Sequence, residues 1–132
     1  MKRCRIVHIE KGCGVDYRGV PFVNCPALTD VKMKSNSGIA EAAVDLGRCY
    51  IDSFYAKPRG RGIGSSCVPV LLDWMKKEGC TKARLVHSEG LGEEEGIEDT
   101  RGFWETMGFN LVARTPEERL QYGHAEMEMK LD

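Results

Sequence analysis

The run Lys57-Pro58-Arg59-Gly60-Arg61-Gly62-Ile63-Gly64 limits the fold of this 132-residue chain more than any other segment. Ahead of it, Arg48 to Ala56 is rich in aromatic and β-branched residues and reads as a strand. Behind it, Cys67, Leu71, Leu72, Trp74 and Met75 recur at helical steps, so a helix is expected from about Ser65 to Glu78, with Gly79 as its left-handed stop. A strand that enters a glycine-dense turn and leaves as a helix presents anion-binding amides. The first helical N–H groups have no intrahelical acceptor, and the peptide dipoles add positive potential at that end. Glycines let the backbone approach a ligand without an intervening Cβ. Arg59 and Arg61 can add charge-assisted bonds of about 1.5–3 kcal/mol each. The spacing is not that of a nucleoside-triphosphate P-loop. Nor is it the Gly-x-Gly-x-x-Gly of a dinucleotide fold.

The rest of the chain reads as one α/β (α+β) domain over residues 1–132. Strands are expected at Arg5–Ile9, at Ala83–His87, at Asn110–Arg114 and in the alternating tail Ala125–Leu131. Pro21–Lys34 reads as extended, and Ile39–Leu46 as either strand or short helix. A loop is expected at Ser88–Glu98, then a short helix at about Asp99–Met107 closed by Gly108. Thr115-Pro116-Glu117-Glu118 combines a capping box with proline at the first helical position and implies a single turn. Pro69 falls inside the main helix, where a bend is expected.

Charge and composition exclude several classes. The 19 Lys and Arg nearly balance 20 Asp and Glu, leaving a net charge of -1 and no cationic surplus for general nucleic-acid binding. No apolar stretch is long enough to span a membrane, and the basic N-terminus lacks the apolar run of a signal peptide. The six cysteines contain no Cys-x-x-Cys pair. They are expected to be reduced, buried thiols in a cytoplasmic protein, with no metal.

The pattern Arg59-x-x-Gly62-x-Gly64 between strand and helix resembles the pyrophosphate-binding motif of the GCN5-related N-acetyltransferases, the GNAT superfamily. The segment Phe103-Trp104-Glu105-Thr106-Met107-Gly108-Phe109 resembles that family's second signature, and the last two strands resemble its closing hairpin. The resemblance covers residues 48–132. It implies a mixed central sheet splayed around acetyl-CoA, used as co-substrate, and transfer of acetyl to a primary amine by direct attack. Pantetheine would pair with backbone groups of Phe54, Tyr55 and Ala56. The pyrophosphate would sit on the turn formed by Arg59, Gly60, Arg61, Gly62, Ile63, Gly64 and Ser65, with Trp104 beside the cofactor.

The chain also departs from the family. Trp104 stands where the usual acid is a tyrosine, so Tyr122 or Tyr55 would have to substitute, unless water returns the proton. Asp52, expected on the same strand face as Phe54, and His87, at the end of the next strand, are the candidate bases. Each has a plainer reading: a structural hydrogen bond for Asp52, an edge histidine for His87, loop packing for Tyr122. Only about 47 residues precede the Arg48 strand, so the N-terminal helical region is shortened. That leaves either an open side, which suits a protein N-terminus or lysine more than a small buried amine, or a wall completed by a second copy in a homodimer. The acid-rich segment Glu89–Asp99 reads as a solvated loop or as a steering field for a cationic acceptor. A catalytically weak or inactive coenzyme A-binding or protein-interaction module is the alternative to an enzyme.

Overall fold

The computed structural model describes residues 4–12, 27–58, 62–86, 89–92, 97–99, 101–113, 115–122 and 126–131. Its main sheet runs in the order β1 (Cys4–Lys11), β2 (Leu28–Ser35), β3 (Gly38–Asp45), β4 (Tyr50–Lys57), β5 (Lys82–Val86), β9 (Glu126–Lys130) and β8 (Asn110–Leu111). Helix α1 (Ile63–Lys77) crosses from β4 to β5, which pair in parallel, while the other ladders of the sheet are antiparallel. The α/β reading therefore stands. Only residues 12–27 separate β1 from β2, consistent with a shortened N-terminal region. No described helix is long and apolar enough to cross a membrane.

The core lies between α1 and one face of the sheet. Ile63, Cys67, Val68, Leu71 and Met75 pack with Val31, Met33, Ala40, Ala42, Val44 and Ile51, and the cluster continues through Ala83, Leu85 and Met127. Period-two alternation selects these strand residues and the helical repeat selects their partners. The segment over residues 39–46 resists assignment from pattern because it is a central strand buried on both faces: Ala40, Ala42 and Val44 meet the core, and Glu41 and Ala43 are buried on the other side.

Helix ends follow their glycines. At the end of α1, Gly79 takes φ 104°, Cys80 N–H donates to Met75 O at 3.0 Å, and Gly79 N–H donates to Lys76 O at 3.0 Å. These two bonds make a Schellman stop. Helix α2 (Arg101–Thr106) ends the same way. Gly108 takes φ 107°, and Phe109 N–H donates to Trp104 O at 3.0 Å. The capping box forms as expected: Glu118 N–H donates to Thr115 Oγ1 at 3.2 Å, and Thr115 N–H to Glu118 Oε1 at 3.1 Å. The helix it starts, α3 (Pro116–Tyr122), is longer than the single turn expected. Pro69 is accommodated inside a continuous α1 because it and Ser65, whose carbonyl it leaves unpaired, are exposed to solvent.

Three expectations need correction. The loop after β5 contains a hairpin, β6 (Glu89–Gly92) with β7 (Ile97–Asp99), which carries no apolar alternation to announce it. The closing strand over residues 110–114 is only two residues long. Above all, four cysteines are paired. Cys4 of β1 bonds Cys67 of α1, with Cα atoms 5.3 Å apart. Cys49, in the turn before β4, bonds Cys80, just past α1, at 5.7 Å. The partners are 63 and 31 residues apart in sequence, so only the tertiary fold brings them together. Disulfides favour oxidising compartments, and reduced thiols therefore no longer support a cytoplasmic location.

Closing loops of this length stabilises a fold by about 2–4 kcal/mol per bridge. Alkylation without reductant should leave Cys4, Cys49, Cys67 and Cys80 unmodified, and a strong reductant should lower the melting temperature by more than about 10 °C. Complete alkylation of all four in the native, unreduced protein would contradict the pairing.

Candidate functional site

Strands β4 and β5 begin as neighbours and then part. Arg84 N–H donates to Cys49 O at 2.9 Å, and the register continues through Tyr50↔Arg84 and Ile51↔Leu85. Among the described residues it stops there, whereas β4 stays paired to β3 as far as Ile39↔Lys57. The split coincides with a bulge. Val44 faces Ile51 and Ala43 faces Ser53, which leaves Asp52 without a partner on β3. Such an extra residue bends and twists its strand. Beyond it, among the described residues, the β5 ladder does not extend along Phe54–Ala56.

The start of α1 closes this region. Gly62 caps the helix at φ 71° with no side-chain cap, and its carbonyl accepts from Ser66 N at 3.1 Å and Ser66 Oγ at 3.0 Å. The amides of Ile63, Gly64 and Ser65 have no acceptor within the helix. Gly64 sits against aromatic rings, and a Cβ there would come within 3.1 Å of Phe103 and 3.6 Å of Phe54. Gly38 is confined more tightly still, because a Cβ would overlap the Lys57 carbonyl, the Ile63 side chain and Pro58.

Several of the residues anticipated from sequence meet here. Phe54, Tyr55 and Ala56 lie on β4 beyond its described pairing with β5, and Gly62, Ile63, Gly64 and Ser65 form the helix start. Arg59, Gly60, Arg61 and His87 lie outside the described residues, as does the side chain of Tyr122. Trp104 is buried, with its ring centroid 5.6 Å from Phe54, 4.9 Å from Phe103 and 5.4 Å from Phe109, all edge-on. Asp52 is exposed. Its expected sharing of a face with Phe54 assumes regular alternation, which the bulge interrupts. The Tyr50 phenol is raised above its ordinary value, first by burial and then by the charge of Asp52. Tyr55 Oη donates to Glu41 Oε1 at 3.0 Å.

That last bond leads to a pair that pattern reading misses. On the sheet face opposite α1, Asp30 of β2 and Glu41 of β3 are 4% and 5% exposed. Desolvation is the main cause that lifts Asp30 to about 7. The hydrogen bond and charge of Glu41 add to it, Lys32 opposes it, and Glu10 reinforces it. Asp30 therefore keeps its proton toward neutrality, with Glu41 as its hydrogen-bond partner. In sequence Asp30 keeps step with Lys32 and Lys34, and so reads as solvent-facing; no local signal marks its burial.

No protein-family model matches the chain, and no curated protein sequence matches it. Solved structures do. The ribosomal-protein-S18-alanine N-acetyltransferase from Escherichia coli superposes with a TM-score of 0.57 at 14% identity, over 100% of this chain and 95% of that one. Nourseothricin acetyltransferase gives a TM-score of 0.54 at 12% identity, over 99% of both chains. The chain has the GNAT acetyltransferase fold. In a GNAT fold at this level of identity, the shared property is the architecture: the mixed sheet and the strand–turn–helix between β4 and β5.

Because folding raises Asp30 from the ordinary carboxylate value of 3.8 to about 7, the folded chain binds more protons than the unfolded chain between those values. This group's stabilising contribution is complete below about pH 4 and is lost as pH rises through about 7. The urea midpoint of the wild type should therefore fall between pH 5 and pH 8 by more than that of Asp30→Asn. Equal changes in the two proteins would contradict the buried pair.

Proposed function

We propose that this chain is an N-acetyltransferase that moves acetyl from acetyl-CoA to a primary amine. The observation that carries the reading is the parting of β4 from β5 beside an uncapped helix start. Three features support a fit to acetyl-CoA. The backbone edge of Phe54–Ala56 can hydrogen-bond a pantetheine amide in the manner of an added strand. The free amides of Ile63, Gly64 and Ser65 suit a pyrophosphate, with Arg59 and Arg61 close in sequence to neutralise it. Gly64 keeps the space between the helix and the Phe54–Phe103 rings clear of a Cβ.

In the reaction the nitrogen lone pair forms a C–N bond to the acetyl carbonyl, the C–S bond breaks, and coenzyme A leaves as a thiolate. The acceptor must lose a proton and the thiolate must gain one. A backbone amide beside Phe54 would stabilise the developing oxyanion. Asp52, His87 and Tyr122 remain the proposed proton carriers, with Asp52 exposed at the bulge and able to act through water. Trp104 offers no acidic hydroxyl and is packed among Phe54, Phe103 and Phe109, so protonation of the thiolate falls to another group or to solvent. This loss favours, as the second reading, a module that binds coenzyme A without efficient turnover.

Calorimetric titration of acetyl-CoA tests the donor site. Roughly micromolar binding is expected for the wild type, about -8 kcal/mol. At least about a hundredfold loss is expected for Arg59→Glu combined with Gly62→Asp, which places two carboxylates at the pyrophosphate position. Absence of wild-type binding would overturn the enzyme reading. Binding with no acetyl transfer to any amine or peptide offered would favour the second.

A further inference from the structure

The Cys49–Cys80 bridge closes a ring around the strand–turn–helix unit. Its members are 31 residues apart, and between them lie β4, the glycine-rich turn, α1 and its Gly79 stop. Phe54–Ala56 and the first amides of α1 therefore belong to one covalent loop. The loop is closed at the end of the fork where β4 and β5 still pair, and that pairing is short. Cys49 O accepts from Arg84 N–H at 2.9 Å, Tyr50↔Arg84 and Ile51↔Leu85 follow, and among the described residues the ladder goes no further. Cys49 is held in a conformation that a cysteine rarely adopts. Its φ is 52°, in the left-handed region, where a Cβ meets resistance that glycine escapes. Such a residue persists only where its surroundings over-determine it, and residues of this kind gather at switch regions. Here the surroundings are the Arg84 bond, the Leu46 carbonyl, which accepts from Cys49 N–H at 3.3 Å, and the bridge itself. The sulfurs of Cys49 and Cys80 lie 3.6 and 4.0 Å from that same Leu46 oxygen. After reduction each thiol has an acceptor in place, so this bridge can open without leaving a buried donor unsatisfied. Cys49 is half-buried, in a turn whose Gly47 and Arg48 are exposed. In the other bridge, Cys67 is fully enclosed among apolar core residues.

We propose that the Cys49–Cys80 disulfide is a redox latch on the donor site: closed, it holds β4 and α1 in the arrangement that takes acetyl-CoA, and opened by a thiol reductant, it lowers the affinity for acetyl-CoA. The proposal rests on the acetyl-CoA reading and adds regulation to it. Opening needs two thiols, from one dithiol or from two glutathione molecules. A thiolate attacks one sulfur of the bridge and expels the other as a thiolate. A second thiol cleaves the mixed disulfide. Two electrons pass to the bridge, Cys49 and Cys80 take up the two protons of the reductant's thiols, and the reductant leaves as a disulfide. Without the bridge, the root of the fork is held by the Arg84 bond and two register pairs, while Cys49 is free to leave its left-handed conformation. The apparent affinity then falls in proportion to the population of the competent arrangement. Linkage runs both ways, so bound acetyl-CoA must favour the closed bridge by the same factor.

The test is a redox titration of the wild-type protein in mixtures of glutathione and glutathione disulfide, with and without saturating acetyl-CoA. Alkylation followed by mass spectrometry reads each bridge separately. Acetyl-CoA is expected to move the Cys49–Cys80 equilibrium at least about tenfold toward the disulfide and the Cys4–Cys67 equilibrium by less than about twofold. Calorimetry gives the reciprocal measurement. Cys49→Ser combined with Cys80→Ser, with its fold checked by circular dichroism, is expected to bind acetyl-CoA at least about tenfold more weakly, whereas Cys4→Ser combined with Cys67→Ala stays within about threefold of the wild type. Equal shifts of the two bridges would mark both as merely structural and overturn the proposal, as would a Cys49–Cys80 equilibrium indifferent to acetyl-CoA. If the oxidised protein binds no acetyl-CoA, the donor reading fails, and hydrogen exchange decides the latch by itself. Faster exchange across Tyr50–Ala56 when Cys49–Cys80 opens, with Val31 and Met33 unchanged, would support it; unchanged exchange at β4 would overturn it.

Discussion

The parting of β4 from β5 governs the rest of this molecule. Two adjacent parallel strands would normally continue to pair, since each broken ladder bond leaves a donor and an acceptor to be satisfied elsewhere. Here pairing ends after Ile51↔Leu85, next to the unpartnered Asp52, while β4 continues on β3 to Lys57. The bulge allows β4 to turn without releasing β3. The outcome is a polar backbone edge and, directly after β4, a helix whose first amides point outward. The first amides of α1 lack intrahelical acceptors, and an elongated ligand with amide and phosphate groups is the one proposed for this place.

That opening is sustained by packing around it. Helix α1 is fixed to the sheet through Ile63, Val68, Leu71 and Met75, and each end of the crossover is tied covalently, by Cys67 to β1 and by Cys80 to the turn before β4. Phe103 and Trp104 of α2 fill the wedge behind Phe54, held in place by the Gly108 turn and by Phe109. Trp104 thus serves the core, packed edge-on among Phe54, Phe103 and Phe109. The Asp30–Glu41 pair lies on the opposite face and is joined to β4 through Tyr55.

Much of this is legible in the sequence because it is locally encoded. The strand–turn–helix unit, the two glycine stops, the Thr115–Glu118 capping box and the alternating last strand each draw on interactions within a few residues. What escapes is set by distant contacts. The partners Cys4 and Cys67 are 63 residues apart, and no spacing rule joins them. The bulge at Asp52 is a mismatch between two strands and cannot be read from either alone. Asp30 alternates with lysines, and its burial arises from what packs around it. The hairpin at residues 89–99 carries acids where a half-buried strand would carry apolar residues, so its pairing gives no periodic signal.

Hydrogen exchange with and without acetyl-CoA tests the central claim most directly, because it reads the backbone groups on which the claim depends. The account predicts slower exchange at amides within Phe54–Ala56 and at Ile63, Gly64 and Ser65 when acetyl-CoA is present. Little change is predicted at Val31 and Met33 in β2, whose ladder bonds are already made. Protection confined to other parts of the chain, or no protection at the β4 edge and the start of α1, would contradict it.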